Sequence, residues 1–178
     1  MVWTRALIAS RPRRSQRWAT AFGLLVPLLA YGQPLRAQPQ ASGETAAPCS
    51  TADPPEAPRL LISVTGAHSA RGNITFTLYG EKPASFLAHK GSIAIARVML
   101  AGTEATACFA VSAPGVYALA VYHDENNNHR LDRTLIGLPA EGYGFSNDAP
   151  VRLGPPSFNA ARFPVRPGAN PVAIRLRY

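Results

Sequence analysis

Apolar residues recur at every second position in short segments of this chain, and this period constrains the fold more than any other feature. The first example is Leu60, Ile62 and Val64. A period of two is typical of strands with one buried face, and glycine and proline are concentrated between the segments. The predicted strands are residues 60–64, 74–78, 93–100, 105–111, 116–123, 161–165 and 172–178. No window shows a helical apolar stripe, and only residues 82–90 could form a helical turn. We therefore predict an all-β fold, a single antiparallel β-sandwich of about seven strands.

The first 37 residues have the layout of a secretory signal peptide. A basic stretch from Arg5 to Arg17 precedes an apolar run over residues 18–30, and small or polar residues follow as far as Ala37. The apolar run is shorter than the roughly 18–20 residues that a membrane-spanning helix needs. We expect cleavage after Ala37 or Ala30, no stable membrane span afterwards, and a periplasmic or secreted protein.

Residues 38–58 are rich in alanine, proline, serine and glycine and have no apolar period, which predicts a disordered linker. The β-sandwich domain then covers residues 59–178. Cys49 and Cys108 both follow the signal peptide, and an even number of cysteines in an oxidising compartment favours one disulfide bond. The alternative is a pair of buried or free thiols.

The formal charge of +8 does not indicate a nucleic-acid-binding protein. Six of the 18 basic residues and none of the ten acidic ones precede residue 38, which leaves 12 basic and ten acidic residues in the exported part. Binding to nucleic acid depends on cationic contacts with phosphates, and a nearly neutral domain offers no such surface. We therefore expect no nucleic-acid partner.

A loop rich in oxygen ligands follows the predicted strand 116–123. Its acidic and amide residues lie at the spacing of positions 1, 3, 5 and 9 of calcium-binding loops. The candidate ligands are Asp124, Asn126, Asn128, the carbonyl of Arg130, Asp132 and, from the next loop, Glu141. His129 and Leu135 occupy positions where an EF-hand has glycine and glutamate, so a site here would bind calcium weakly. The alternative is a metal-free turn in which asparagine side chains cap the backbone and Asn127 or Asn128 is left-handed.

The next loop, residues 137–147, combines glycines with aromatic side chains and could form a ligand surface. The residues assigned to this surface are His123, Tyr143, Phe145 and Asn147. The alternative is an ordered crossover whose aromatic rings close the open end of the sandwich.

Several of these segments resemble secreted bacterial proteins grouped as domain of unknown function 2141. The resemblance covers about residues 60–178 and is carried by PGVYA at 114–118, HDEN at 123–126, GLPAEGYGFSN at 137–147 and GPPSF at 154–158. Where that family usually has glycine in the asparagine-rich loop, this chain has Asn127 and His129. The predicted fold class is a prealbumin-like or immunoglobulin-like sandwich. The resemblance implies a small exported sandwich similar to prealbumin-like or carboxypeptidase-regulatory-like domains, and it implies no activity.

These observations favour an exported, non-catalytic binding or structural module of the cell envelope, whose partner is an unknown protein or envelope ligand. The module would contain a calcium-like cation or no cofactor at all. No G-x-S-x-G motif occurs, and the four histidines are scattered, so we do not expect an enzyme. Two alternatives remain open: a metal-dependent hydrolase using His123, Asp124, Asp132 and Glu141, and a small outer-membrane barrel, which the alternation before the terminal Tyr178 would also suit.

Overall fold

The computed structural model describes residues 46–178, whose strands form two sheets. The strands are β1 (Ala46–Pro48), β2 (Arg59–Thr65), β3 (Asn73–Tyr79), β4 (Ala94–Met99), β5 (Ala105–Val111), β6 (Gly115–Asp124), β7 (Tyr143–Phe145), β8 (Phe163–Val165) and β9 (Ala169–Arg175). The first sheet has the order β1-β5-β2-β9 and the second has the order β4-β3-β6-β7, with β8 also paired to β6. Each predicted segment overlaps a strand, and the prediction of an all-β sandwich is confirmed.

One strand pair departs from the predicted antiparallel arrangement. Strands β2 and β9 run parallel, with Arg59 opposite Ala169 and Thr65 opposite Arg175, whereas the other paired strands are antiparallel. Apolar alternation shows which face of a strand is buried but carries no information on its direction. The parallel pair therefore had no signal in the sequence.

The segment predicted as a linker contributes a strand. Residues 46–48 form β1, which pairs antiparallel with β5 and opens the first sheet. Directly after it, Cys49 forms a disulfide bond with Cys108 of β5, with the two Cα atoms 5.4 Å apart. Residues 46–58 therefore differ from the predicted disordered linker. The predicted signal peptide, residues 1–37, and the beginning of the predicted linker, residues 38–45, lie outside the described residues.

The main hydrophobic core lies between the two sheets. The inward-facing side chains are almost fully buried because strand alternation turns every second residue toward the opposite sheet. The largest are Leu60, Ile62, Ile74, Phe76, Leu78, Phe109, Leu119 and Ile174. Apolar side chains therefore fill the space between the sheets, and the polar candidate site residues lie at the end of β6 and in the loops that follow it.

A second apolar cluster covers the outer face of the second sheet. Its centre is Phe86, whose ring makes edge contacts with Tyr79, Phe145 and Phe158 at centroid distances of 5.2, 6.2 and 5.9 Å. Phe86 follows a short 3₁₀ helix (Pro83–Ser85) within the segment predicted to form a helical turn, and Phe158 begins the four-residue helix α1 (Phe158–Ala161). Within residues 46–178 no helix is long and apolar enough to cross a membrane.

The outer edge of β9 is largely closed. Leu176, directly after β9, donates its backbone N–H to the Thr65 carbonyl of β2. Residues 171, 173, 175 and 177 therefore direct their backbone groups away from β2, toward the outer edge. Arg177 exchanges backbone hydrogen bonds with Tyr143, and the Arg175 N–H donates to the Asp148 carboxylate at 3.1 Å. Pro171 has no N–H to offer.

Candidate functional site

Asp124, the last residue of β6, is fully buried and organises the loop that follows it. Its Oδ1 accepts the backbone N–H of Asn128 at 3.0 Å, and its Oδ2 accepts the backbone N–H of His129 at 2.9 Å. The Asn73 amide, opposite Asp124 on β3, donates to the same Oδ2 at 3.1 Å. Two N–H groups from one turn make a concave anion site, so the loop wraps around this carboxylate.

The loop reverses through two left-handed residues. Asn127 has φ of 59° and His129 has φ of 63°. In the same loop, the Asn126 and Asn128 side chains each accept the backbone N–H two residues further on, at 3.0 and 2.9 Å. These are Asx-turns, in which a short side chain replaces a backbone acceptor. The geometry is that of the asparagine-capped turn proposed as the metal-free alternative.

Asp132 lies at the far end of the loop and faces two amide groups. Asn126 Nδ2 donates to its carboxylate at 2.7 Å, and Asn128 Nδ2 donates to both of its oxygens at 2.9 and 3.0 Å. These hydrogen bonds, first from Asn128 and then from Asn126, hold the pKa of Asp132 below its ordinary value, and the charge of Arg130 acts in the same direction. Asn128 thus connects Asp124 and Asp132, which are eight residues apart.

Glu141 joins the asparagine-rich loop to the hairpin that follows. Its Oε1 accepts the backbone N–H of Glu125 at 3.0 Å, and its Oε2 accepts the backbone N–H of Asp132 at 2.9 Å. The side chain is only 5% exposed. Each carboxylate oxygen of Glu141 therefore holds one end of the loop, which is a structural use of a residue proposed as a metal ligand.

His123 is fully buried and does not lie on the surface to which the sequence assigned it. Its Nε2 lies 2.8 Å from the Arg71 carbonyl, which can only accept, so Nε2 carries the proton. Its Nδ1 lies 2.7 Å from the Tyr178 hydroxyl, which also accepts the His68 N–H at 3.0 Å. Burial raises the pKa of Tyr178. This contact network ties the last residue to β6.

The aromatic residues of the second loop are mostly internal. Phe145 is 7% exposed and belongs to the second apolar cluster, while Tyr143 is half-buried against it. The exposed Asn147 uses its amide to donate to the carbonyls of Ala160 and Arg162, at 3.3 and 2.8 Å. This arrangement matches the alternative in which the rings close the sandwich rather than form a ligand surface.

The structure thus brings Asp124, Asn126, Asn128 and Asp132 into one hydrogen-bonded loop, with Glu141 at its base. Nevertheless, within residues 46–178 no three His, Cys, Asp or Glu side chains are placed as a group that could hold a metal ion. Every buried side-chain nitrogen or oxygen in the described part of the chain has a hydrogen-bond partner. In the loop itself, the side-chain oxygens of Asp124, Asn126, Asn128 and Asp132 each accept a hydrogen bond, so a cation would have to compete for them.

Two residues important to this loop were not identified from the sequence. Asn73 can donate to Asp124 only because the pairing of β3 with β6 places the two residues opposite each other, and the sequence does not specify strand pairing. Tyr178 contacts His123 across a separation of 55 residues. An asparagine at the start of an otherwise apolar strand was the only available signal for Asn73.

Comparison with known proteins identifies one family. The family model described as "Uncharacterized protein conserved in bacteria (DUF2141)" matches residues 62–173, which is more than half of the chain. No curated protein sequence and no solved structure matches the chain.

Proposed function

Since the chain belongs to the DUF2141 family, we propose that it is an exported, non-catalytic binding or structural module of the bacterial cell envelope. We place its functional end at the asparagine-rich loop, residues 124–132, and the hairpin that follows. The observation that carries this proposal is the hydrogen-bonding of the loop: Asp124, Asp132 and Glu141 all accept from the loop itself. Such a loop keeps one shape before any partner arrives, which lowers the entropic cost of binding.

Export is supported by the disulfide bond and by the start of the sequence. Disulfide bonds persist in oxidising compartments such as the bacterial periplasm. The Cys49–Cys108 bond links the residue after β1 to β5, the neighbouring strand of the first sheet. The layout of residues 1–37 suits a secretory signal. We therefore place the protein in the periplasm or outside the cell.

The absence of catalysis in this proposal rests on how the acid and base groups are used. A general base has to come within hydrogen-bond distance of a substrate proton. His123 and Asp124 are both fully buried, and both already hold parts of the backbone. Glu141 is engaged through both oxygens. These side chains act as supports of the loop.

We include in the proposal a weak calcium-like cation at the exposed side of the loop. Asp132 is half-buried, whereas Asp124 and Glu141 are buried. The oxygens of Asn126, Asn128 and the Arg130 carbonyl could complete the ligands of the cation. The cation would have to displace the Asn126 and Asn128 amides, which now donate hydrogen bonds to Asp132. We therefore expect a dissociation constant of about 10⁻⁴ to 10⁻³ M, as in extracellular modules.

Thermal unfolding with calcium and with chelator tests the cation. At about 10 mM calcium, a dissociation constant of about 10⁻³ M raises the unfolding free energy by roughly 1.4 kcal/mol. The midpoint should then rise by roughly 3–6 °C. Asp132→Asn should remove the rise, whereas Asp53→Asn, a control in an exposed turn, should keep it. An unchanged midpoint in calcium would exclude the cation while leaving the module intact.

Cell fractionation tests the module itself. The protein should leave with the periplasmic or secreted fraction, and its two cysteines should resist alkylation until a reductant is added. Recovery in the cytoplasm with two reactive thiols would contradict the proposal.

A further inference from the structure

The hairpin after the asparagine-rich loop displays three large aliphatic side chains to solvent. Leu135, Ile136 and Leu138 are exposed to 108%, 82% and 59% of their full surface. We call residues 134–138 the apolar finger. Scattered exposed leucines are ordinary on protein surfaces, and Leu153, 106% exposed, is one. Three neighbouring aliphatic residues on one turn are not scattered, and such patches mark sites of interaction.

The finger is held outward by the hairpin rather than left loose. Thr134 N–H donates to the Leu138 carbonyl at 2.8 Å, and Gly137 N–H donates to the Thr134 carbonyl at 2.9 Å. At its base, Arg133 pairs with Pro139, and the Arg133 guanidinium donates to the Gly137 carbonyl at 2.9 Å. These contacts give the turn a defined shape in which its apolar side chains are exposed and available to a partner.

The shape of the finger suits the surface of a lipid bilayer. It is a tight hydrogen-bonded turn with no other heavy atom near a Cβ position on Gly137, and its length from the base to the tip is about 7–10 Å at strand spacing. Apolar groups that lie in a membrane interface are buried by about 5–10 Å. A partner that yields around a protruding tip, as acyl chains do, can bury all three side chains without a preformed cavity.

The charges around the finger also suit this partner. Arg133 is exposed at the base of the finger, and Arg130 is exposed three residues before it. The acidic side chains that flank the finger in sequence are Asp132, which is half-buried and accepts from Asn126 and Asn128, and Glu141, which is buried under the loop. An arginine at the base of an inserted tip lies at the depth of lipid phosphates and can bind them.

We propose that the apolar finger inserts Leu135 and Ile136 into the outer part of a phospholipid bilayer, with Arg130 and Arg133 on anionic headgroups. This inference rests on the proposed function only in that an exported protein meets the envelope membranes. It does not depend on the cation, because residues 134–138 include none of the proposed cation ligands, and Arg130 would use its guanidinium for headgroups and its carbonyl for the cation.

Co-sedimentation with vesicles tests the inference. The purified protein should bind vesicles of phosphatidylethanolamine and phosphatidylglycerol in the presence of chelator. The double variant Leu135→Ser/Ile136→Ser should bind at least about tenfold more weakly, because two aliphatic side chains no longer leave water. Leu153→Ser, a matched control with equal exposure, should bind as the unaltered protein does. None of these residues packs in the core, so the thermal midpoint should not change.

Fluorescence provides a second measurement. Both tryptophans of the chain, Trp3 and Trp18, lie in the predicted signal peptide. With vesicles, Leu135→Trp should shift its emission to shorter wavelength, and Leu153→Trp should not. Weaker binding to phosphatidylcholine vesicles would support the role of the arginines, and equal binding would contradict it.

Two results would overturn the inference: no binding to any vesicle, or binding that the double variant retains. The first would point instead to a protein partner for the finger. Because chelator is present throughout, these results are independent of the calcium measurement, and a cytoplasmic location would be detected separately by fractionation.

Discussion

At the scale of single residues, the loop is organised by a buried carboxylate, that of Asp124. Asp124 is held by neutral donors: two backbone N–H groups of its own loop and the amide of Asn73. A buried charge is costly unless hydrogen bonds replace its hydration, and here three of them do so. The same Asn73 amide also donates to the side chain of Asn127 at 2.8 Å. Local turn geometry and strand pairing therefore meet at one carboxylate.

Replacing this carboxylate should destabilise the whole domain. Asp124→Ala leaves two backbone N–H groups and one amide without their acceptor, and we expect the unfolding free energy to fall by about 2–4 kcal/mol. Urea denaturation measures this loss. Asp53→Ala, which removes an exposed hydrogen bond to Ser50 N–H, is the control and should cost less than about 1 kcal/mol. Equal effects of the two substitutions would show that Asp124 does not organise the loop.

Asp132 predicts a dependence on pH. Its pKa lies below the ordinary value of 3.8 because Asn128 and Asn126 donate to the ionised form. The corresponding stabilisation is present above the ordinary value and is lost as the pH falls through the lowered native value. An NMR titration of the Asp132 carboxyl carbon should show the lowered value, and Asn128→Ala should raise it toward 3.8. A titration unchanged by Asn128→Ala would exclude these hydrogen bonds as the cause.

At the scale of elements, the asparagine-rich loop contains two residues with left-handed backbone conformations. Left-handed conformations suit glycine, and non-glycine residues adopt them at a cost. Asn127 and His129 occupy two such positions. Asparagine tolerates this conformation better than most residues, whereas histidine contributes only its backbone N–H to the bonds described here.

We therefore expect His129→Gly to preserve or raise stability and His129→Val to lower it. Valine is β-branched and strained at positive φ, so its cost should exceed about 1 kcal/mol relative to glycine. Differential scanning calorimetry of the two variants gives the comparison. A valine variant as stable as the glycine variant would mean that this residue is not left-handed in solution.

Much of the fold could be predicted because strands with one buried face alternate strictly. Leu60, Ile62 and Val64 and the other alternating segments located seven of the strands. The strand β1 had no such signal, since Ala46, Ala47 and Pro48 are small and its pairing depends on β5 and the disulfide bond. In the loop, the sequence located the oxygen ligands but not their partners. Whether Asp132 faces an ion or two amides depends on side-chain rotation that spacing does not specify.

At the scale of the whole molecule, a covalent bond attaches the first strand to the rest of the first sheet. Cys49 and Cys108 are separated by 59 residues, so the bond closes a loop that includes β2, β3 and β4. Strand β1 is three residues long and reaches only β5 within its sheet. Its attachment therefore depends on few hydrogen bonds and on the disulfide bond.

Removing the disulfide bond should lower stability and release β1 first. We expect the variant Cys49→Ser/Cys108→Ser to lose about 2–4 kcal/mol of unfolding free energy. Hydrogen exchange should show faster exchange at β1 and at residue 49, whose N–H donates to the carbonyl of residue 108, than at the central strand β3. Uniform protection in the variant, with an unchanged urea midpoint, would contradict this role.

The largely closed edge of β9 affects how copies of the protein can associate. A sheet edge with a row of free N–H and C=O groups is a template on which further chains can stack into fibrils. An incoming strand would meet Arg177 already paired, the Arg175 N–H already taken by Asp148, and no N–H at Pro171. The first sheet therefore resists polymerisation through this side, even where many copies gather on one surface.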